Sequence, residues 1–195
     1  MPRPSVKAER TEEILDAFER CVARYGVEGA TLERIAEEAG LRRSLLRHYI
    51  GNRDVLIDAL TTRFLARSDA QVAAFFDGLP QTNRAAALLD VLFDAHYSDN
   101  HLALVAAALI AAAPNQHQLS DQLRQWTHDF VARIADELQQ SFPSADAAAC
   151  FDVAAGVSGI YFNVESLAPL GQIESLRHAS KGAAERLVFS LSRQG

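Results

Sequence analysis

The chain has 195 residues, 49% of them hydrophobic and 23% charged, globular proportions that exclude a disordered or fibrous chain. Alanine fills 34 positions against 10 glycines and 6 prolines, which favours helix, and the net charge is −6. Two cysteines, Cys21 and Cys150, are too few for a disulfide framework and point to a reducing compartment. The longest apolar run, residues 102–113, is shorter than the roughly 20 residues a bilayer span needs. The opening MPRPSVKAERTEE has no apolar h-region. A soluble cytoplasmic protein without a membrane partner is expected.

Helical period runs through every long segment. Ile14, Leu15, Phe18, Val22 and Tyr25 share one face of a first helix, which Gly26 stops. Thr31 is placed to cap a short second helix with Ile35, Ala36 and Ala39 on its apolar side, and Gly40 ends it. A third short helix covers about 42–49. Asn52 caps a fourth, carrying Leu56, Leu60 and Phe64 toward Phe76 before Gly78-Leu79-Pro80 breaks it. The pattern then predicts helices over about 83–97 and from an Asn100 cap to 113, where Pro114 stops the chain. A long helix begins near Ser120 with Leu123, Trp126, Phe130, Ile134 and Leu138 in register. Ser144 caps the next, reaching about 166, and the last spans about 173–192. The expected fold is all-α with nine helices, and the expected domains are 1–52 and 53–195.

Charge divides unevenly. Residues 1–67 carry a net +1 and residues 68–195 a net −7. Arg42, Arg43, Arg47 and Arg53 lie within twelve residues, and Arg3, Lys7 and Arg10 form a second basic stretch. Local clustering, not the total, decides whether a nucleic acid is attracted.

The most informative segment runs from Ala30 to Leu56. Two helices of fewer than three turns joined across a glycine are unstable alone and must pack on neighbours. Ile35, Ala36 and Ala39 on one, and Leu46, Tyr49 and Ile50 on the other, supply the contacts of a helix-turn-helix. Arg42, Arg43, Ser44, Leu45, Arg47 and His48 are then left outside or at the edge. An exposed Leu45 beside three arginines is odd for a solvated helix and suits a thymine methyl in the major groove.

The pattern Gly29-x-Thr31-x-x-x-Ile35-Ala36-x-x-Ala39-Gly40-Leu41, followed by Leu46-x-His48-Tyr49-Ile50-x-Asn52-Arg53-Asp54-x-Leu56, resembles the DNA-binding domain of the tetracycline-repressor (TetR) family. The preceding Ile14-Leu15-x-Ala17-Phe18 and Tyr25-Gly26 fit as well. The resemblance covers about residues 7–56. It departs on the reading helix, where Arg42, Arg43 and Ser44 replace the family's usual Ser, basic residue and Gly, and Arg47, Ile50 and Arg53 replace an aromatic, Phe and Lys. A cation at 42 meets a positive helix end, a cost of about 0.3–1 kcal/mol that a docked phosphate would reverse.

The resemblance implies an N-terminal three-helix DNA-binding domain and a C-terminal helical ligand-binding and dimerisation domain. Arg53, Arg47 and His48 would hold phosphates, and Thr31 would stiffen the second helix and touch phosphate. Arg43, Ser44 and Leu45 would meet base edges, with Arg42 serving either role. Partners would be a pseudo-palindromic duplex operator, a second copy of the chain and a mostly hydrophobic effector that releases the DNA. Pocket candidates are Phe64, Phe93, His96, Tyr97, Trp126, Phe130, Phe151 and Tyr161, although an aromatic stripe is commonly plain core. The dimer face would use Val153, Val157, Ile160 and Val164 of the eighth helix with Leu176, Ala179, Ala183, Leu187 and Leu191 of the ninth, and the competing reading assigns part of this stripe to the subunit's own core. Repression is favoured over activation.

Neither a cofactor nor a metal is expected. His96 and His101 are five apart across a break, the other histidines are isolated, and HExxH and phosphate-cradling glycine loops are absent from the sequence. An enzyme is therefore not expected. The remaining alternative is a helical scaffold that dimerises without binding DNA, and the arginines of the reading helix argue against it.

Overall fold

The computed structural model describes residues 6–50 and 52–192, without the side chains of Val6, Ala8 and Ile50. Arg3 and the Ile50 side chain therefore lie outside the described residues. Among those residues the chain forms nine α-helices and no strand: α1 (Val6–Gly29), α2 (Leu32–Glu38), α3 (Arg43–Ile50), α4 (Arg53–Asp77), α5 (Arg84–Leu92), α6 (Asn100–Ala112), α7 (His117–Ser141), α8 (Ala147–Leu167) and α9 (Glu174–Leu191). The all-α expectation holds.

The chain divides into two compact units, residues 1–67 with 104–123, and residues 68–103 with 124–195. In the first, α1 packs on α2 and α3, and α2 on α3. Ile14, Phe18 and Val22 of α1, Ile35 of α2, Leu46 of α3 and Leu56, Leu60 and Phe64 of α4 are all buried, matching the 3.6-residue stripe of the sequence. In the second unit one apolar core joins Leu88 and Leu92 of α5, Ile134 and Leu138 of α7, Ala154 and Val157 of α8, and Ala184 and Val188 of α9.

Helix ends show where local chemistry decides. Thr31 accepts a hydrogen bond from the Arg34 amide, and Asn52 Oδ1 accepts from the Val55 amide at 3.0 Å, so both expected caps form. The α1 stop is softer than expected. Gly26 leaves helical geometry at φ 72°, ψ 170°, but a last turn continues to Gly29. The fifth helix ends earlier than 97, at Leu92, because the Asp94 carboxylate takes the His96 amide at 2.9 Å and starts a separate 3₁₀ turn, Ala95–Tyr97. Asp99 caps α6 in place of Asn100, accepting from the Leu102 amide at 3.0 Å. The α7 helix begins at His117, ahead of Ser120, whose amide bonds to the Gln116 carbonyl at 2.9 Å. Asp146 stands before α8 where Ser144 is expected.

By length and composition alone, residues 147–170, comprising α8 and the turn after it, could cross a membrane, which a count of unbroken apolar residues misses. Its Cys150, Ala154, Val157, Ser158 and Val164 are instead buried in a protein core.

Candidate nucleic-acid interface

The turn between α2 and α3 is built from backbone chemistry. Gly40 adopts φ 64°, its amide bonds to the Glu37 carbonyl at 3.1 Å, and the Leu41 amide reaches the Ala36 carbonyl at 2.8 Å. This is the Schellman ending of a helix, and its positive φ calls for glycine. The Arg42 carbonyl then accepts from the amides of Leu45 and Leu46, which opens α3.

Leu46 is fully buried and Tyr49 half-buried, so they fix the rotation of α3. Arg42, Arg43, Ser44, Leu45, Arg47 and His48 are all exposed, with Leu45 at 43%. The outer face expected from periodicity is therefore present. Arg43 forms an exposed ion pair with Glu33 of α2. The Glu33 carboxyl titrates below its ordinary range, first through a backbone hydrogen bond at the start of α2 and then through Arg43. Among the described residues no carboxylate pairs with Arg42 or Arg47. Thr31 is exposed beside this surface at the α2 cap. Arg53 is placed differently from the other predicted phosphate ligands. It is partly buried, and its guanidinium donates to the carbonyls of Val27 and, at 2.9 Å, Ala30.

The predicted pocket residues separate into groups. In the second unit the rings run in contact from Trp126 to Phe162 (5.5 Å), Phe130 (5.1 Å), Tyr161 (5.5 Å) and Phe93 (6.4 Å). Burial pushes the Tyr161 phenol up, and the neighbouring Glu165 pushes in the same direction. Trp126 Nε1 donates to Ser68 Oγ at 2.8 Å. Four candidates fall elsewhere. His96, with its side chain 92% exposed, and Tyr97, at 55%, lie on the exposed turn created by the early end of α5. Phe151 is 40% exposed beside His128. Phe64 is buried in the first unit.

The predicted dimer residues also divide. Val157, Val164 and Leu191 are turned into the subunit's own core, a correction that follows from α8 and α9 packing on each other. Val153 and Ile160 are half-buried against that core. Leu176, Ala179 and Leu187 are exposed and Ala183 is half-buried. Ile160, Ala179 and Ala183 line an open groove with Gly156, Gly159, Asn163 and Ser180. A β-carbon at Gly156 would stand 3.1 Å from Leu187 Cδ1, so glycine lets α9 come close there.

Sequence reasoning missed the interior charges. Glu19 is buried and pairs with the partly buried Arg63 and the exposed Arg67, and Arg84 meets Glu137 through Nε and Nη2 at 2.7 and 2.8 Å. Arg177 meets Glu165 at 2.8 Å, and Ser98 donates to the same carboxylate at 2.6 Å. One signal was readable: Glu19 stands four residues after Leu15 and three before Val22, on the apolar stripe. Among the described residues no cluster of histidines, cysteines and carboxylates is arranged to hold a metal.

Residues 14–60 match the model of the bacterial regulatory proteins, tetR family. The chain is 26% identical over 166 residues to the HTH-type transcriptional regulator BetI 2 of Chromohalobacter salexigens, over 83% of this chain and 80% of that one. It is 45% identical over 49 residues to the HTH-type transcriptional repressor AcnR of Corynebacterium jeikeium, over 25% and 26% of the two chains. A TetR-family transcriptional regulator from Streptomyces coelicolor shares the fold with a TM-score of 0.76, at 16% identity over 94% of this chain and 96% of that one. A short helix with a buried leucine on one side and cations on the other, set behind a glycine turn, defines a helix-turn-helix DNA-binding regulator. The match over residues 14–60 and the regulators similar to the whole chain support a TetR-family transcriptional regulator.

Proposed function

We propose that the protein is a cytoplasmic repressor that binds a pseudo-palindromic operator as a homodimer and is released by a small, mostly hydrophobic effector. The observation that carries the reading is the outer face of α3, where Arg42, Arg43, Arg47 and the 43% exposed Leu45 stand clear of the core. Arg43, Ser44 and Leu45 meet base edges, while Arg47, His48 and Thr31 hold phosphate. Arg42 stands at the start of α3 and serves either purpose.

Dimerisation through the open face of α8 and α9 gives each duplex two reading helices, with half-sites spaced by about a helical turn, roughly 34–36 Å, or a multiple. Support comes from the groove of small residues and the exposed Leu176 and Leu187. The effector reading rests on the aromatic row from Trp126 to Phe93. An effector that fits best when the reading helices are wrongly spaced weakens DNA binding by that same difference in affinity. The chain acts by binding and not by catalysis.

Fluorescence anisotropy with fragments selected from a genomic pool tests the reading. The expected result is an inverted-repeat consensus bound far more tightly than random duplex, with affinity falling steeply as salt rises. In the same selection, Arg43→Ala relaxes base preference at one position per half-site. Equal affinity for every fragment overturns the reading.

A further inference from the structure

Position 53 is where the structure and the expected role of a residue part. The Arg53 guanidinium donates from Nη1 to the Ala30 carbonyl at 2.9 Å and from Nη2 to the Val27 carbonyl, with the exposed Glu28 carboxylate 3.8 Å away. Both accepting residues are buried, Ala30 at 0% and Val27 at 2% exposure. These carbonyls lie where α1 has been broken at Gly26 and the chain turns toward the Thr31 cap of α2. Carbonyls at such a corner lack part of the helical ladder, so a cation that bonds to them replaces what the break removes.

The consequence for α3 is geometric. The helix has eight residues, too few to hold itself, and Leu46 is its fully buried anchor among the described side chains. Its seat therefore depends on how its two ends are tied. The leading end is tied by the Gly40–Leu41 turn. The trailing end passes through the Asn52 cap into Arg53, the first residue of α4, which reaches back to the corner preceding α2.

We infer that Arg53 is a positioning residue, a clamp between the start of α4 and the α1–α2 corner that sets the angle at which α3 is presented to bases. The inference rests on the DNA-binding reading above and assigns Arg53 no phosphate. A guanidinium bridging two carbonyls is a fork; a lysine ammonium is a point charge and cannot reproduce the span.

Arg53→Lys and Arg53→Gln, measured by fluorescence anisotropy on the selected operator and on random duplex across a salt series, test it. For a clamp, both variants lose about tenfold in operator affinity, as expected for charge-assisted hydrogen bonds. Random-duplex affinity and the dependence of log K on log salt stay at wild-type values, because no phosphate contact is removed. For a phosphate ligand, Arg53→Lys binds as wild type, and Arg53→Gln weakens both duplexes alike and lowers the salt slope by about 0.9 per subunit. That outcome, or wild-type operator preference in both variants, overturns the inference.

If Arg53→Gln fails to fold, nitrogen-15 spectra of wild-type arginine side chains carry the test. Slowly exchanging Arg53 guanidinium signals are expected before DNA is added, and signals that appear only on its addition overturn the clamp. Wild-type protein that prefers no fragment sinks the regulator reading itself, a result separate from any behaviour of the variants.

Discussion

The outer faces of α3 and of the α8–α9 pair are both left open by the subunit, yet they are built in opposite ways. The α3 face carries arginines and one exposed leucine over Leu46, the one fully buried anchor among the described side chains of the helix. The α8–α9 face is made of glycine, alanine and serine around Ile160 and Asn163, with exposed leucines at Leu176 and Leu187. A charged face on a short helix attracts a polyanion, and the side chains set among its charges read the sequence of that partner. A small-residue face on two long helices asks for a surface of matching shape. The contrast teaches that exposure alone says little about a partner, whereas charge and side-chain size together say which kind.

The largest break to that contrast comes from putting a charge on the second face. Ala179→Arg is expected to yield a monomer in sedimentation velocity and to weaken operator binding by about 100-fold or more, through loss of bivalent attachment. A dimer that binds normally would show the groove is idle. Next in size is the pair of adjacent leucines on α3. Leu46→Ala should lower unfolding stability by about 3 kcal/mol in urea titration, because it empties a buried site. Leu45→Ala should change stability by less than about 0.5 kcal/mol while reducing discrimination among operators. Equal stability losses in the two variants would contradict the orientation of α3.

A smaller effect is expected from Arg47→Gln, which should weaken operator and random duplex together and reduce the salt slope by about 0.9 per subunit. Loss of base preference without a change in slope would move Arg47 from phosphate to bases. The smallest concerns the second unit. The Asp94 carboxyl is held below the usual aspartate range, first by the His96 amide and then by the His96 ring. Its contribution to the 3₁₀ turn is therefore fully present above the ordinary aspartate value and is lost as the pH falls through the lower folded value. The His96 amide shift, followed by NMR through acid titration, should show a midpoint below that of a model aspartate, and a midpoint above it would contradict the bond.

The helix-turn-helix was legible because its signals are local. Gly40 needs a positive φ, Thr31 caps within its own turn, and Leu46 and Tyr49 are spaced to face inward. The end of α5 was not legible, since it is decided by one carboxylate taking an amide two residues on. The buried charges were hidden for a different reason. Glu19 and Arg63 are 44 positions apart and Arg84 and Glu137 53, so each looks like a solvated charge until the helices meet. Arg53 shows the same limit at the site itself. Its type suits a phosphate, and its partners are carbonyls 23 and 26 positions earlier.

Trp126 is the sole tryptophan of the chain, and its indole nitrogen rests on Ser68 of α4 while its ring meets Phe162. The molecule thus carries its own optical gauge. Anything that slides between these rings, or that draws α4 away from α7 at this point, changes the polarity around one indole, and the wavelength of its emission follows without any label.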